Sequence, residues 1–458
     1  IEAATPYTVE MVSNTTNNKV IGSYSTYSEA VKVMNAQNST STSVATVYKN
    51  GVVVNSKYAI FRLKPNTKTV YLYQNSGDST AYTYTSPSYM TDTAFLDSNE
   101  KRANIMLNGF RGWIDLSAGD IIPISLLQTN MISINASGLN VRADASTNST
   151  SIGAITCNGC LYSYTAKKSN QGYTWYQITY NDRTGWVADG DWLVETTGNG
   201  LNTYYYRYST GNLLHRYAYH NGTSYTDSFT NLGPTPSYLQ EDVRYYSFDG
   251  GIYLYTSLTS MLDDYKNNTN THSLNVNNPN YPYYLYLPNK SKSNITAEQI
   301  DSQITDPSSK LYGQGKYFKE AEELYGMNAL SAFSTAKNES ASGTSQIAKD
   351  KNNVFGYGAS DSCPYDCAKS YNSVRDSIME YAQKGNSNYM TAQAIYYFGT
   401  HAGTKGSGRN VKYASDPLWG EKQASNAFTT DKNAGMRDYL ANTIGVTAFG
   451  KYNVPVYE

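Results

Sequence analysis

Small and apolar side chains recur at helical spacing in residues 328–341, where they fall on one face at steps of three and four positions. This face is formed by Ala329, Ala332, Phe333, Ala336 and Ser340. The pattern predicts an amphipathic helix, and Gly343 predicts its end because glycine readily takes the left-handed conformation that closes many helices. At about 100° per residue, Glu339 is expected on the shoulder of the apolar face.

Two more helices are predicted on either side of this one. Residues 316–325 are amphipathic and charged, and Gly326 provides their stop signal. A later helix is expected to begin with Asp416 as N-cap and Pro417 at the first helical position. Near the start of the chain, residues 28–36 predict a helix between strand-like runs.

Alternation of apolar and polar positions dominates the middle of the chain. Residues 173–178 alternate as a β-strand does, and a Gly-Trp-Val strand follows after a turn. An upstream segment repeats the pattern, because Ile105 precedes Gly112-Trp113 by the same spacing as Ile178 precedes Gly185-Trp186. Residues 65–128 and 132–197 are therefore predicted to be two related all-β units.

Residues 198–290 are rich in tyrosine, with frequent Asn, Gly and Pro. This composition predicts short strands and turns that pack on the C-terminal part, and the alternating aromatic runs argue against disorder. The whole chain contains 46 tyrosines. A tyrosine has a flat apolar face and a hydrogen-bonding tip, which suits half-buried sheets and sugar-stacking grooves alike.

Length and charge narrow the classes of function. At 458 residues the chain is long enough for several domains. Charged residues make up 16% and the net charge is −1, which favours neither nucleic acid nor an anionic membrane as a partner. No apolar run approaches the roughly 20 residues of a membrane-spanning helix. The chain begins with Ile1 and shows no signal peptide, so a processed or recombinant product is expected.

The four cysteines form two close pairs, Cys157 with Cys160 and Cys363 with Cys367. A shared zinc site would need the pairs to meet across two predicted domains, and the four histidines have no ligand spacing. A redox pair normally opens a helix, whereas Cys157 lies between predicted strands. Local disulfides or free thiols are therefore expected, and no metal or other cofactor.

Glu339 is the candidate for acid chemistry. A carboxyl turned toward apolar neighbours is desolvated, which raises its pKa toward the range of a general acid. The alternative is an ordinary surface glutamate near a helix end. Two further motifs lie downstream of Glu339. They are the N-N-V-F-G-Y-G run at 352–358 and the V-K-Y-A-S-D-P run at 411–417, followed by Trp419-Gly420.

Together with N-E-S-A-S-G-T at 338–344, these motifs resemble the bacterial endo-β-N-acetylglucosaminidases of glycoside hydrolase family 73, over roughly residues 285–450. Such autolysins cut the glycan strands of peptidoglycan. The resemblance implies that Glu339 is the general acid and that Tyr413 lines the active site. The chain departs from the usual family pattern at Lys337, Asn338 and Ser342. These departures affect subsite detail more than the reaction.

The resemblance and the chemistry of glycosidic hydrolysis together define an expected site. Hydrolysis needs a proton donor and help for the oxocarbenium-like centre, from a second carboxylate or from the N-acetyl group of the substrate. Asp361 is the preferred carboxylate, because it follows a predicted Phe-Gly-Tyr strand of a lysozyme-like hairpin; Asp366, Asp376 and Glu380 are alternatives. Substrate contacts are expected from Asn353, Phe355, Tyr357 and Trp419.

Residues 132–197 resemble the bacterial SH3-type wall-binding domains, through their S-G-L-N-V-R opening at 137–142 and the Gly-Trp-Val strand. The expected fold is multidomain, with all-β SH3-like modules followed by a mainly α, lysozyme-like (α+β) catalytic domain. The expected domains are a small α+β segment of unknown role (1–64), a divergent SH3-like unit (65–128), the wall-binding domain (132–197), a Tyr-rich β adaptor (198–290) and the catalytic domain (291–458).

The expected function is cleavage of the β-1,4 bond between N-acetylglucosamine and N-acetylmuramic acid by a secreted, wall-associated protein. Its partner is then bacterial peptidoglycan, glycan strands and peptide stems, with neither nucleic acid nor a membrane involved. A non-catalytic wall-binding or adhesive protein is one alternative. A muramidase or lytic transglycosylase that cuts the other glycan bond is another. The oligomeric state is left open by the sequence.

Overall fold

A computed structural model describes most of the chain. The described residues are 4–13, 17–64, 69–127, 131–181, 183–196, 203–207, 210–220, 225–241, 243–360 and 362–446. Within these ranges, none of the helices has the length and apolar character that a membrane span requires.

The first unit is a small antiparallel sheet covered by one helix. Its strands are β1 (Tyr7–Val12), β2 (Lys19–Tyr24), β3 (Val44–Lys49) and β4 (Val52–Ser56), in the order β2-β1-β3-β4. Helix α1 (Tyr27–Ala36) begins after Thr26, whose side chain accepts a hydrogen bond from the Glu29 amide. Ala30 and Met34 pack on the sheet. The predicted helix at 28–36 is confirmed.

A second sheet follows at once and starts earlier than the predicted boundary at residue 65. Its strands are β5 (Ala59–Leu63), β6 (Val70–Tyr73), β7 (Thr83–Thr85), β8 (Asp92–Ser98), β9 (Arg102–Leu107), β10 (Phe110–Asp115) and β11 (Gly119–Pro123). The strand order is β11-β5-β8-β9-β10-β6-β7. We call residues 59–127 the second sheet unit.

The third unit is the predicted β module in the middle of the chain. Its strands are β12 (Met131–Arg142), β13 (Ser151–Asn170), β14 (Tyr173–Tyr180), β15 (Arg183–Ala188) and β16 (Leu193–Thr196). The sequence repeat is visible as matching hairpins. In β14–β15 Gly185 is paired with Ile178, and in β9–β10 Gly112 is paired with Ile105.

The Tyr-rich region is β only in its first half. Strands β17 (Thr203–Arg207), β18 (Asn212–His220), β19 (Tyr225–Pro234) and β20 (Arg244–Tyr245) continue the sheet of the third unit. Beyond them come turns and α2 (Leu258–Asn267), a helix that the prediction of strands and turns missed. Leu213 and Leu232 lie in the same hydrophobic cluster as Phe333 and Phe428, so these strands pack on the C-terminal helices as expected.

The C-terminal part is helical. Its helices are α3 (Tyr283–Tyr286), α4 (Ala297–Asp301), α5 (Gly315–Tyr325), α6 (Ala329–Glu339), α7 (Gln346–Lys351), α8 (Val374–Tyr389), α9 (Asn410–Tyr413) and α10 (Trp419–Asn433). The predicted helix at 316–325 is confirmed, and Gly326 closes it with φ 69°. The apolar face predicted for α6 is buried, with Phe333 edge-on to Phe318 of α5.

Two helix boundaries differ from the sequence prediction. Helix α6 ends at Glu339, and Ala341 and Ser342 take positive φ before Gly343 does, so the chain turns earlier than expected. Helix α10 begins at Trp419 rather than at Pro417. The Asp416 carboxylate still accepts the Leu418 amide at 2.9 Å, which makes it the acceptor of the turn before the helix.

The expected hairpin after α7 is not formed by the described residues of that segment. Residues 355–357 are in a turn region rather than in a strand, and pairing is limited to an isolated bridge between Ser360 and Cys363. The compact turns here are held by Asn353, whose side-chain amide donates to the Tyr357 and Lys369 carbonyls. The cysteines form two local disulfides, Cys157–Cys160 and Cys363–Cys367. Local disulfides were one of the two expected alternatives.

Candidate active site

Glu339 is the last residue of α6, at the point where the backbone turns away from the helix. The turn is fixed by Ser340, whose hydroxyl accepts the Gly343 amide at 2.8 Å. A side chain at Gly343 would meet the Leu311 amide nitrogen at 2.7 Å and would also need φ +81°, so glycine is required there. Glu339 is consequently held half-buried, and one carboxylate oxygen accepts the Trp419 indole N–H at 2.6 Å.

The surroundings of Glu339 act on its pKa in opposite directions. Burial raises the pKa of the carboxyl, and the charge of Asp416 acts in the same direction. Hydrogen bonds from Trp419 and Asn338 and the charge of Arg409 lower it, because they stabilise the carboxylate. Burial prevails, so the pKa lies above its usual range, which is the direction that a general acid requires.

Aromatic rings and one buried cation surround the acid. Tyr413 lies with its ring centre 4.5 Å from that of Trp419, and the charge of Glu339, after burial, contributes to raising the Tyr413 pKa well above its usual range. The guanidinium carbon of Arg409 is 4.8 Å from the Tyr413 ring centre and 5.4 Å from that of Trp419. Arg409 is 1% exposed and donates to Asn289 at 3.0 Å. Its charge is therefore available to the site at low dielectric.

Residues 404–417, here called the Tyr413 segment, are held from inside by a buried lysine. The Lys405 ammonium donates to the Asn410 carbonyl at 3.1 Å and to the Ala414 carbonyl at 2.9 Å, on either side of Tyr413. Burial lowers the pKa of Lys405 to about 7. These bonds set the backbone position from which the Tyr413 ring packs against Trp419.

The same segment is held from outside by the second sheet unit. The Asn108 side chain, at the tip of the β9–β10 hairpin, donates to the Pro417 carbonyl at 2.5 Å, and the Asn108 carbonyl accepts the Lys405 amide at 3.0 Å. The Ser86 amide donates to the Ser415 carbonyl at 2.8 Å. A sheet far from the C-terminal helices in sequence therefore fixes the segment that bears Tyr413.

Close packing accompanies these hydrogen bonds. A Cβ at Gly109 would lie 2.5 Å from the Thr404 hydroxyl and 3.4 Å from the Gly406 amide nitrogen. The Thr83 hydroxyl donates to the Val411 carbonyl. Side chains of the second sheet unit also share one hydrophobic cluster with Leu418, the residue before Trp419.

The structure brings together some of the sequence-predicted residues and buries others. Glu339, Tyr413 and Trp419 form one contact group. Trp419 is 3% exposed, Asn353 1% and Phe355 3%, which differs from the expectation that these side chains touch the substrate. Phe355 stacks on Tyr381 with ring centres 3.8 Å apart.

Tyr357 is the exception among the residues expected to bind substrate. It is half-buried, its ring is tilted against that of Tyr381 at 6.2 Å, and it keeps some exposed surface. Burial raises its pKa well above the usual range, so its hydroxyl is neutral and able to donate. The buried residues around it support the turn from which Tyr357 projects.

The structure describes only some of the candidates for the second carboxylate. Asp361, the preferred helper, lies outside the described residues. The Glu380 carboxylate is engaged by neighbouring side chains. Burial raises its pKa, but hydrogen bonds from Lys369, Lys384 and Tyr371 outweigh that effect and lower the pKa to about 2. Asp416 is paired with Lys422. Among the described residues, no group of three or more His, Cys, Asp or Glu side chains could hold a metal ion.

The contact between Trp419 and Glu339 makes a prediction about pH. A general acid acts while protonated, so activity falls as pH rises through its pKa. In a Trp419→Phe variant the carboxylate loses a donor, its pKa rises, and the alkaline limb of the pH–rate profile should move up by roughly one unit. Trp186→Phe, a change of the same type at a partly buried position of strand β15, is the matched control. An unmoved limb, or one shifted to lower pH, would contradict the assignment of the limb to Glu339.

Residues 315–431 match the glucosaminidase family model, described as mannosyl-glycoprotein endo-beta-N-acetylglucosaminidase, and residues 137–194 match that of the bacterial SH3 domain. Two curated Streptococcus pneumoniae proteins named “Putative endo-beta-N-acetylglucosaminidase” are 39% identical over 158 residues. The match covers 34% of this chain and 23% and 22% of those proteins, so the chain spans less than a quarter of their length.

Solved structures were found over a similar part of the chain. A crystal structure of Staphylococcus aureus autolysin E is 26% identical and covers 33% of this chain and 72% of that one, with a TM-score of 0.27. A catalytic mutant of the same autolysin, in complex with the disaccharide NAG-NAM, is 24% identical, covers 33% and 73%, and has a TM-score of 0.27. A major bifunctional autolysin is 27% identical, covers 33% and 68%, and has a TM-score of 0.26.

Proposed function

We propose that this chain, which carries a glucosaminidase domain after a bacterial SH3 domain, is a peptidoglycan hydrolase. It cleaves the β-1,4 bond between N-acetylglucosamine and N-acetylmuramic acid in bacterial cell-wall glycan. The observation that carries the proposal is the group formed by Glu339, Trp419 and Tyr413, because it places a carboxyl with a raised pKa next to an aromatic wall within the matched domain. A lysozyme-like fold of this domain is part of the proposal.

The chemistry follows from this arrangement. Glu339 gives its proton to the glycosidic oxygen as the bond to the anomeric carbon breaks, and the departing sugar leaves as an alcohol. Positive charge develops on the anomeric carbon, where either the Asp361 carboxylate or the substrate's own N-acetyl group supplies the electrons. Water then adds to that carbon and its proton passes to a base. Tyr413 donates a hydrogen bond to the N-acetyl group or to the attacking water.

Arg409 limits how far the pKa of Glu339 is raised. Its buried charge stabilises the carboxylate that Glu339 becomes after proton transfer, in a site where water screens little. It also lies behind the rings of Tyr413 and Trp419, which it orients by cation–π contact. We assign it as a positioning residue, since nothing places it against the substrate.

The SH3 domain supplies wall attachment in this proposal. An open cleft of about 600 Å³ on this domain is bordered by Arg142, Tyr173 and Trp192. Both aromatic rings are partly exposed, at 40% and 38%. Such a cleft gives flat apolar faces and one cation, which suit polar wall polymers. A secreted, wall-associated location follows from this function.

The class of reaction can be tested with purified walls. Hydrolysis of glycan releases new reducing groups without new amino groups, whereas a peptidase or amidase releases amino groups instead. We expect reducing groups alone, and the same rate in a strong chelator, because carboxylate-based glycoside hydrolysis needs no metal. New amino groups, or a loss of activity that added zinc restores, would contradict the proposed reaction.

A further inference from the structure

A row of aromatic rings leads away from the acid toward the protein surface. The ring centres of Trp419 and Tyr413 are 4.5 Å apart, those of Tyr413 and Tyr389 are 5.5 Å apart, and those of Tyr389 and Tyr396 are 5.4 Å apart. The row begins buried, with Trp419 at 3%, and ends with Tyr396 at 39% exposure. Each ring touches the next, so the row is continuous.

The outer end of this row is an exposed apolar surface. Ile395, next to Tyr396, is 77% exposed and lies on a segment without helix or strand between α8 and α9. The segment is nevertheless tied down, because the Tyr396 amide donates to the Asn388 carbonyl at 3.1 Å. An apolar side chain held rigidly in water, at the end of a row that reaches a buried acid, is typical of a binding surface rather than of a core.

The second sheet unit borders this outer end. Phe398, on the same segment as Tyr396, packs edge-on against Tyr82 with ring centres 5.4 Å apart. Tyr82 lies between β6 and β7, and its carbonyl accepts the Lys412 ammonium. The phenol of Tyr84 is close enough to Tyr389 to contribute to its pKa. The aromatic row thus runs along the seam between the catalytic helices and the second sheet unit.

We propose that Tyr389, Tyr396 and Ile395 form a distal saccharide-binding site, which holds sugar units of the same glycan strand beyond those at the scissile bond. The inference rests on the proposed function. A β-linked sugar presents flat C–H faces at intervals comparable to these ring spacings, and it carries hydroxyls that the tyrosine tips can bond. Successive contacts of this kind make binding depend on strand length.

Strand length is therefore the experimental variable. We would compare the shortest soluble, uncrosslinked N-acetylglucosamine–N-acetylmuramic acid fragment that is cleaved with fragments several disaccharides longer. Tyr396→Ala should lower kcat/KM on the long fragments by about ten-fold, chiefly through KM, because the buried apolar contact of one ring face is lost. On the shortest fragment it should act like wild type. Ile395→Ala should show a smaller effect of the same kind.

Two controls separate binding from folding. Tyr396→Phe keeps the ring and should retain most of the length dependence, whereas Phe229→Ala removes an aromatic ring that is 57% exposed elsewhere and should change nothing. Equal losses on short and long fragments, or no loss on the long ones, would overturn the distal site. A wild-type chain that cleaves neither fragment, while the reducing-group assay is also negative, would refute the proposed function and the distal site with it.

Discussion

Replacing Glu339 by glutamine should lower wall hydrolysis by at least about 100-fold and up to about 10,000-fold, the range of a lost general acid. Glutamine has nearly the same shape, and its carbonyl oxygen can still accept the Trp419 N–H that the carboxylate accepts at 2.6 Å. What it lacks is the transferable proton. The measurement is the initial rate of release of reducing groups from purified walls, with folding checked by thermal unfolding.

The thermal stability of the Glu339→Gln variant should be equal to or higher than that of wild type, although its activity falls. The pKa of Glu339 is raised in the folded state. In the wild-type chain this group therefore contributes to folding stability below the pKa of the unfolded state, and the contribution is lost as pH rises through the folded-state pKa. Glutamine is neutral throughout. At neutral pH the variant should therefore have a Tm at or above that of wild type, and this difference should shrink as pH approaches 4. A folded variant with near wild-type rates would end the assignment of the acid.

Deletion of residues 1–127 should abolish activity, although both matched domains and the candidate acid lie C-terminal to this region. The second sheet unit shares a hydrophobic cluster with Phe248, Met261 and Leu418, so its removal exposes a large apolar face of the remaining chain. It also removes the hydrogen bond that Asn108 donates to Pro417 and the one that its carbonyl accepts from the Lys405 amide. We expect residues 128–458 to aggregate or to unfold at markedly lower temperature, and to release no measurable reducing groups.

A point variant of the full chain separates positioning from stability. Asn108 has φ 37°, so Asn108→Gly removes the amide without backbone strain. Losing this buried hydrogen bond costs about 0.5–1.5 kcal/mol, since the Asn410 side chain still donates to the Pro417 carbonyl. The loss should lower kcat by up to about ten-fold and leave KM unchanged. Asn50→Gly is the matched control, since Asn50 has φ 50° in an exposed Asn-Gly turn of the first sheet. A fully active 128–458 fragment, or equal effects of the two glycine variants, would contradict this account.

Local features of the fold were predictable from local patterns. The periodicity around Phe333 fixed helix α6 and placed Glu339 on its shoulder, because an apolar face at 3.6-residue spacing has few alternatives. The Ile–Gly–Trp repeat predicted two related all-β units, and Gly112 and Gly185 have equivalent pairing in matching hairpins of these units. The ends of helices were predicted less accurately. Asp416 accepts a backbone amide as an N-cap does, but helix α10 begins at Trp419.

Contacts between distant segments were not predictable in the same way. An Asn-Gly pair such as Asn108-Gly109 signals a hairpin turn, but nothing nearby indicates that its tip contacts a segment some 300 residues later in the chain. Arg409 follows a Gly-Ser-Gly run and resembles a loop residue, yet it is fully buried among aromatic rings. These positions result from tertiary packing, which leaves no periodic trace.

The chemical identity of the reducing ends that the chain releases from purified peptidoglycan shows which glycan bond it cleaves. Digests would be reduced with borohydride and the terminal sugars identified by mass spectrometry, with the Glu339→Gln protein as the blank. Cleavage between N-acetylglucosamine and N-acetylmuramic acid predicts N-acetylglucosaminitol ends with the wild-type chain and none with the variant. N-acetylmuramitol or anhydromuramic ends would show a muramidase or a lytic transglycosylase instead, and would contradict the proposed function.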